Sequence, residues 1–222
     1  MRRLLLLSFM RKNLVILIGC VVALISFSPQ GMAFTWTEID DAGELPGTAQ
    51  ATAGDGPLEF ITGSLESPTD VDMYVIFITG DGSFSATTVD LTTLDSQLTL
   101  FNSSGMGVCS NDDDATDGSQ STLPAFHLLT PTAPGIYYIA ISDWDWDPVS
   151  NGGFIFPHPD SIASNPAVDG PTGPGGGLPI IDWDGISTIG GGSYTIALTG
   201  AVSSAFVPKP PIMPWLPLLL DD

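Results

Sequence analysis

The chain has 222 residues, of which 25 are acidic and only 5 are basic, and its charged fraction is 14 %. So acidic a chain has almost nothing with which to pair phosphate groups, and the composition therefore excludes a nucleic-acid-binding protein. The 25 glycines and 19 prolines, among frequent Thr, Ser, Val and Ile, predict strands joined by turns.

Residues 1–33 have the pattern of a secretory signal peptide. A basic start is followed by an apolar run over residues 14–27, and small residues precede the predicted cleavage site after Ala33. A membrane span needs about 20 apolar residues, so we predict cleavage and no span in the mature chain. The alternative is a lipoprotein box ending at Cys20, but the residues after Cys20 are as apolar as those before it.

Cleavage at that point leaves a mature chain with very little positive charge. All 25 acidic residues lie beyond Ala33, and Lys209 is the only basic residue left, which gives a net charge of −24. Cys109 remains as a single cysteine, so no intramolecular disulfide is possible and we expect it to be a small buried hydrophobe. Clustered carboxylates must then be solvated, screened by salt or paired with metal cations.

The predicted strands come after a short N-terminal lead-in at residues 34–56. The clearest covers residues 70–80, where an almost unbroken apolar run predicts a strand buried on both faces. The other candidates are residues 57–65, 83–91, 96–105, 121–129, 135–144 and 192–201. About eight such strands predict an all-β fold, an antiparallel β-sandwich of jelly-roll type over residues 57–201. Within it, residues 148–191 are a long Gly/Pro-rich loop insertion, and residues 202–222 form a proline-rich tail.

Carboxylates collect in the stretch CSNDDDATDGSQS at residues 109–121. Calcium takes six to eight oxygen ligands from carboxylates, amides, carbonyls and water. Two carboxylates at the start of a strand project to one side, and a loop and a strand end are candidates to reach them. The predicted Ca²⁺ ligands are Asp70, Asp72, Asn111, Asp112, Asp113 and Asp143. The alternative is that these residues are only solvated turn formers, because Asp and Asn favour turns.

Tryptophan alternates with aspartate in DWDWDP at residues 143–148 and recurs in DWDG at residues 182–185. If the preceding strand continues, the aspartates share one face and the tryptophans share the other. An exposed indole beside carboxylates can stack on a sugar ring while the carboxylates accept its hydroxyl hydrogen bonds. Trp144, Trp146 and Trp183 are therefore candidate ligand-binding residues, and the alternative is that they plug the core under a loop.

The order DVDMY, DSQLTLFNSSG, NDDD, PGIYYIAIS and GGSYTIALTG resembles the bacterial pre-peptidase C-terminal (PPC) domain over residues 58–201. The stretches SNGGFIFP and GPTGPGGG are similar to a subgroup of exported bacterial proteins, many of which carry a PEP-CTERM sorting tail. The segment Val207-Pro208-Lys209-Pro210 looks like a degraded start of that tail, without the apolar helix and terminal arginines expected next. The resemblance implies a non-catalytic accessory domain, calcium-bound in several relatives.

Catalytic motifs are missing from the sequence. The two histidines, His127 and His158, have no HExxH spacing, and no serine lies in a GxSxG elbow. We therefore expect no enzyme, but a secreted, calcium-stabilised binding or structural module at a bacterial cell surface or in its extracellular matrix. Its expected partner is an extracellular polysaccharide or another surface protein. The alternatives are a carbohydrate-binding module that uses the Trp/Asp-rich loops, and an accessory domain of an exported hydrolase.

Overall fold

The computed structural model describes residues 32–116, 118–157, 167–187 and 190–205. The predicted signal peptide up to Gly31, Cys20, His158 and the tail from residue 206 onward lie outside the described residues. The described part contains fourteen strands and no helix, so the predicted all-β fold is confirmed. It follows that these residues include no helix with the length and apolar character needed to cross a membrane.

Seven of the strands have five residues or more, and the others are shorter. In chain order the strands are β1 (Phe34–Thr37), β2 (Gln50–Ala51), β3 (Leu58–Ser64), β4 (Val71–Ile78), β5 (Ser85–Thr87), β6 (Ser96–Asn102), β7 (Gly107–Asn111), β8 (Thr122–Leu123), β9 (Gly135–Asp143), β10 (Trp146–Ser150), β11 (Gly153–Phe154), β12 (Asp182–Gly185), β13 (Ser193–Thr199) and β14 (Ala201–Ser203). Every strand expected from the sequence has a counterpart here.

The strands form three sheets. Sheet A has the order β1-β3-β13-β5-β8, sheet B has the order β14-β4-β9-β6-β7 with β2 also on β4, and sheet C has the order β11-β10-β12. Most pairs are antiparallel, but β1 runs parallel to β3 and β2 runs parallel to β4. These two parallel pairs come from the lead-in at residues 34–56, where the sequence predicted no strand.

Eight strands form the framework of sheets A and B: β3, β4, β5, β6, β7, β8, β9 and β13. Taken in chain order, the first pairs with the last, the second with the seventh, the third with the sixth and the fourth with the fifth. In each of these four pairs the two strands are antiparallel. The framework brings the starts of β4 and β6 and the ends of β7 and β9 to the same end of sheet B, along the strand direction.

Alternation along β4 decides where the core lies. Tyr74, Ile76 and Ile78 face sheet A and belong to the main core, whereas Val71 and Met73 face sheet C and belong to a second, smaller core. Sheet B is therefore buried on both faces, which explains the unbroken apolar run in its sequence. The single cysteine, Cys109, is also buried in the main core, and burial raises the pKa of its thiol to about 12.

The described parts of the insertion, residues 148–157, 167–187 and 190–191, cover the outer face of sheet B instead of forming only a loop. Ile155, Phe156, Ile180 and Trp183 from this segment are buried against Phe101 of β6 and its neighbours. The apolar stretches GFIF and LPIIDW are short and lie among glycines and prolines, which hides them from a periodicity argument. Burial of the outer face of sheet B accounts for them physically.

Candidate metal centre

The carboxylates predicted from the sequence lie at one end of sheet B, where strands β4 and β6 start and strands β7 and β9 end. The register pairs Asp72 with Ile141, Ile141 with Leu98 and Leu98 with Asn111, so these four residues form one row across the sheet. Beyond this row lie the residues after β7, the end of β9 and the residue before β6. We call this end of sheet B the acidic end, and it carries Asp72, Asp95, Asp112, Asp113 and Asp143.

The row separates the predicted ligands into two places. Asp72 in β4 and Asn111 in β7 lie three strand spacings apart, about 14 Å, because β9 and β6 lie between them. Calcium–oxygen distances are about 2.3 to 2.6 Å, so one ion cannot join both residues. The structure therefore does not bring Asp70 and Asp72 together with the loop after β7. It forms two carboxylate clusters instead.

The first cluster contains Asp95, Asp112 and Asp113, whose carboxylate oxygens lie within 4.8 Å of one another. Asp95 directly precedes β6, and the two other residues directly follow β7. Because β6 and β7 form an antiparallel hairpin with Leu98 opposite Asn111, the residue before one strand meets the residues after the other. Asp113 is buried, with 3 % of its surface exposed.

Hydrogen bonds hold the loop of the first cluster in position. The amide Nδ2 of Asn111 donates to the carbonyl of Asp113 at 3.0 Å, and its Oδ1 accepts from the backbone N–H of Thr122 at 2.7 Å. The hydroxyl of Ser121 donates to the carbonyl of Asp112 at 2.9 Å. Asn111, predicted as a ligand, thus uses both ends of its side chain to shape the loop around the carboxylates.

Asp143 lies at the end of β9 beside the first cluster. It pairs with Ser96, the residue next to Asp95, and its side chain is fully buried. Its Oδ2 accepts a hydrogen bond from the hydroxyl of Ser187 at 2.9 Å. In the part of the chain that the structure describes, no donor reaches the buried Oδ1 atoms of Asp95, Asp112 and Asp143. Buried polar atoms without partners are costly, so these oxygens need a hydrogen-bond donor or a cation.

The electrostatics of the first cluster also favour a bound cation. Burial, and then the charges of Asp113 and Asp95, raise the pKa of Asp112 to about 8. Burial, together with Asp113 and Asp143, raises the pKa of Asp95 to about 6. The sequence has no lysine or arginine between residues 13 and 208, so no such side chain of the described part can neutralise these carboxylates. A divalent cation bound to their oxygens would do so.

The second cluster contains Glu38, Asp41 and Asp72, whose carboxylate oxygens also lie within 4.8 Å of one another. Asp70 lies beside it at the end of a turn, where its Oδ2 accepts from the backbone N–H of Glu66 at 2.5 Å. Its charge contributes to the raised pKa of Asp72, after burial and Glu38. Asp70 and Asp72 were predicted from the sequence, but Glu38 and Asp41, which come from the lead-in, were not.

The three candidate tryptophans have different environments. Trp183 is 4 % exposed, packs edge-on against Phe101 with ring centroids 6.2 Å apart, and donates from Nε1 to the carbonyl of Glu44 at 2.9 Å. Trp146 is partly buried against the same smaller core, and its buried Nε1 has no acceptor among the described residues. A stacking platform needs an open ring face, and Trp144 lines a surface pocket.

The pocket beside Trp144 adjoins the first cluster. Its polar lining includes Gln97, Ser110, Asn111, Asp112, Asp145, Asp147 and Asp169. The strand expected to continue through the DWDWDP stretch stops at Asp143, because Asp145 has a left-handed φ of 58° and β10 begins at the next residue. The condition for aspartates and tryptophans to alternate on two faces is therefore not met, and the turn brings both residue types to one pocket.

No family model matches this sequence, and a comparison with curated proteins finds no similar chain. The geometry of the acidic end is therefore the main indication of what this protein does.

Proposed function

We propose that this protein is an exported, acidic, non-catalytic β-sandwich module that binds calcium at the first cluster and acts at a bacterial cell surface or in its matrix. The observation that carries the proposal is the convergence of Asp95, Asp112 and Asp113 beside Asp143, with three buried carboxylate oxygens that lack donors in the described part of the chain. The resemblance of residues 58–201 to the PPC domain supports the same conclusion.

Calcium suits these donors better than other common cations do. All of them are hard oxygen atoms, which calcium and magnesium prefer, whereas zinc and copper favour nitrogen and sulfur. Magnesium demands a near-ideal octahedron and keeps most of its waters, and it is usually bound through only one or two carboxylates. Three convergent carboxylates, with Asp143 beside them, favour the larger ion with its flexible coordination. Bound calcium would join the β6–β7 hairpin to the end of β9.

The test is calcium binding by isothermal titration calorimetry on protein stripped with a chelator. The variant Asp112→Asn/Asp113→Asn should lose one equivalent of bound calcium relative to the wild type, with magnesium binding far weaker than calcium in the wild type. The control is Asp81→Asn, which removes one negative charge in an exposed turn at the other end of β4. Equal stoichiometry in the wild type and the double variant would overturn the assignment of the first cluster.

A second candidate function is favoured by the pocket beside Trp144. Its lining combines one indole with the carboxylates of Asp112, Asp145 and Asp147, which suits a sugar that stacks on the ring and donates hydroxyl hydrogen bonds. Asp112 belongs to both the pocket and the first cluster, so a sugar hydroxyl in this pocket lies near the proposed ion. Polysaccharide binding that requires calcium would support this candidate, and its absence across a broad glycan panel would remove it.

A further inference from the structure

We propose that Glu38, Asp41 and Asp72 form a second, separate divalent-cation site that ties the segment after β1 to β4. This site is separate from the first cluster, because β9 lies between β4, which carries Asp72, and the β6–β7 hairpin, which carries the first cluster. Glu38 directly follows β1 of sheet A, whereas Asp72 lies in β4 of sheet B. An ion here therefore joins the two sheets of the sandwich at its acidic end.

Backbone hydrogen bonds hold the carboxylates of Glu38 and Asp41 in position. Glu38 accepts hydrogen bonds from the backbone N–H of Ala42 at 3.1 Å through Oε1 and from that of Ser64 at 2.9 Å through Oε2. Asp41 accepts from the backbone N–H of Gly43 at 2.8 Å, in a turn where that glycine has a φ of 65°. Each of these oxygens keeps free lone pairs, because a carboxylate oxygen can accept more than one contact.

Asp72 provides the observation that points to a ligand. Its side chain is 1 % exposed, and its Oδ2 accepts from the hydroxyl of Tyr194 at 2.6 Å. Tyr194 in turn lies 2.5 Å from the hydroxyl of Tyr74, which can donate to it. No hydrogen-bond donor from the described residues reaches the buried Oδ1 of Asp72. A buried carboxylate with one oxygen unsatisfied, against two more carboxylates, requires a positive partner.

Gly63 of β3 also indicates that the space around Asp72 must stay free of a further side chain. A glycine in the interior of a strand weakens it and often marks the close approach of another group. A Cβ at Gly63 would collide with the hydroxyl of Tyr194 and with Oε2 of Glu38. Its backbone has no left-handed φ that would itself require glycine. The missing side chain therefore leaves room for the groups that surround Asp72.

The positive partner is either a cation or a proton shared between Asp72 and Glu38. A proton joins only two oxygens, whereas the oxygens of three carboxylates converge here. Asp41 is exposed, so an ion can enter from solution while Asp72 lies behind it. Three oxygen donors with water completing the shell suit calcium. The number and arrangement of the donors thus favour the cation.

The experiment counts calcium ions by calorimetry and by equilibrium dialysis on the whole mature chain. We expect two ions per wild-type chain, and one in the Asp112→Asn/Asp113→Asn variant. Asp41→Asn keeps an acceptor for the N–H of Gly43 but removes one ligand charge, so the second site should weaken by about tenfold or more. The neighbouring Asp40→Asn is the matched control, since Asp40 is exposed and outside the cluster, with a φ of 54° that asparagine tolerates.

The outcomes separate the two sites. If Asp41→Asn and Asp40→Asn bind calcium with the same stoichiometry and affinity, the second site does not exist and a shared proton is the partner of Asp72. If one ion binds, and its affinity depends on Asp41 but not on Asp112 or Asp113, the second site stands and the first fails. Gly63→Ala adds a variant with every carboxylate intact; it should weaken only the second site, and unchanged affinity there would contradict the close packing around it.

Discussion

Replacing Asp112 by asparagine should have opposite effects with and without calcium. In a chelator, the wild type keeps a half-buried carboxyl whose pKa is raised from 3.8 to about 8 by burial and by its acidic neighbours. Asparagine has nearly the same shape without the charge. Removing the charge should therefore stabilise the calcium-free protein, even though most substitutions at buried polar positions are destabilising.

The size of this effect follows from the pKa of Asp112. One pKa unit corresponds to about 1.4 kcal/mol, so the shift sets an upper limit of about 5 kcal/mol at pH 7.5. Solvent reaches part of this side chain and its loop can relax, so we expect a gain of about 1 to 2 kcal/mol. For a domain of this size, that gain raises the melting temperature by about 3 to 6 °C.

Calcium should reverse the order of the two proteins. A hundredfold excess over Kd stabilises the wild type by about 2.7 kcal/mol through the first cluster, and the variant lacks this gain. Any gain through the second cluster is the same in both proteins, so it cancels in the comparison. Melting curves in chelator and in millimolar calcium, at ionic strength matched with sodium chloride, measure both differences. A variant less stable than the wild type in chelator would refute the repulsion argument, and a full calcium gain in the variant would exclude Asp112 as a ligand.

The acidic end also determines how stability responds to pH. In chelator, the pKa values of about 8 for Asp72 and Asp112 mean that the folded state keeps protons that the unfolded chain releases near pH 4. The free energy of unfolding should therefore fall as the pH rises from 5 to 8. Saturating calcium should remove most of this loss, and a flat pH profile in chelator would contradict the reasoning. Trp183→Ala should destabilise the fold by about 3 to 5 kcal/mol in denaturant titrations. Trp144→Ala should change stability little and abolish any polysaccharide-dependent shift in fluorescence. Equal losses of stability in the two variants would contradict the difference in burial. Intact-mass measurement of exported protein should give Phe34 as the first residue, and an acylated Cys20 would disprove that cleavage site.

The strands were predictable because their signals are local. Alternation and β-branched runs identify β3, β4, β6, β9 and β13, and the unbroken apolar run of β4 correctly indicated burial on both faces. What covers the second face was not predictable, since the apolar stretches of the insertion are too short to show a period. The parallel strands β1 and β2 were missed for the same reason.

The site was predictable only in part, because ligands meet through strand order and not through sequence spacing. A loop and a strand start at the same edge of a sheet can meet only if their strands are neighbours, and β9 and β6 separate β4 from β7. Asp95 was missed although the hairpin register alone places it opposite the loop after β7. Glu38 and Asp41 belong to a segment without a periodic pattern, so nothing in the sequence places them beside Asp72.

The described carboxylates also distinguish turn formers from candidate ligands. At the opposite end of β4, Asp81 accepts from the backbone N–H of Ser83 at 3.0 Å, and these hydrogen bonds to Ser83 lower its pKa. That residue has the solvated, self-satisfied environment of an aspartate in a turn. Asp72, Asp112 and Asp143 have the reverse: each keeps a buried oxygen without a described donor, and burial raises the pKa of each. Turn formation explains Asp81 but leaves these three oxygens unexplained. A chain without lysine or arginine between residues 13 and 208 must obtain their positive partner from solution.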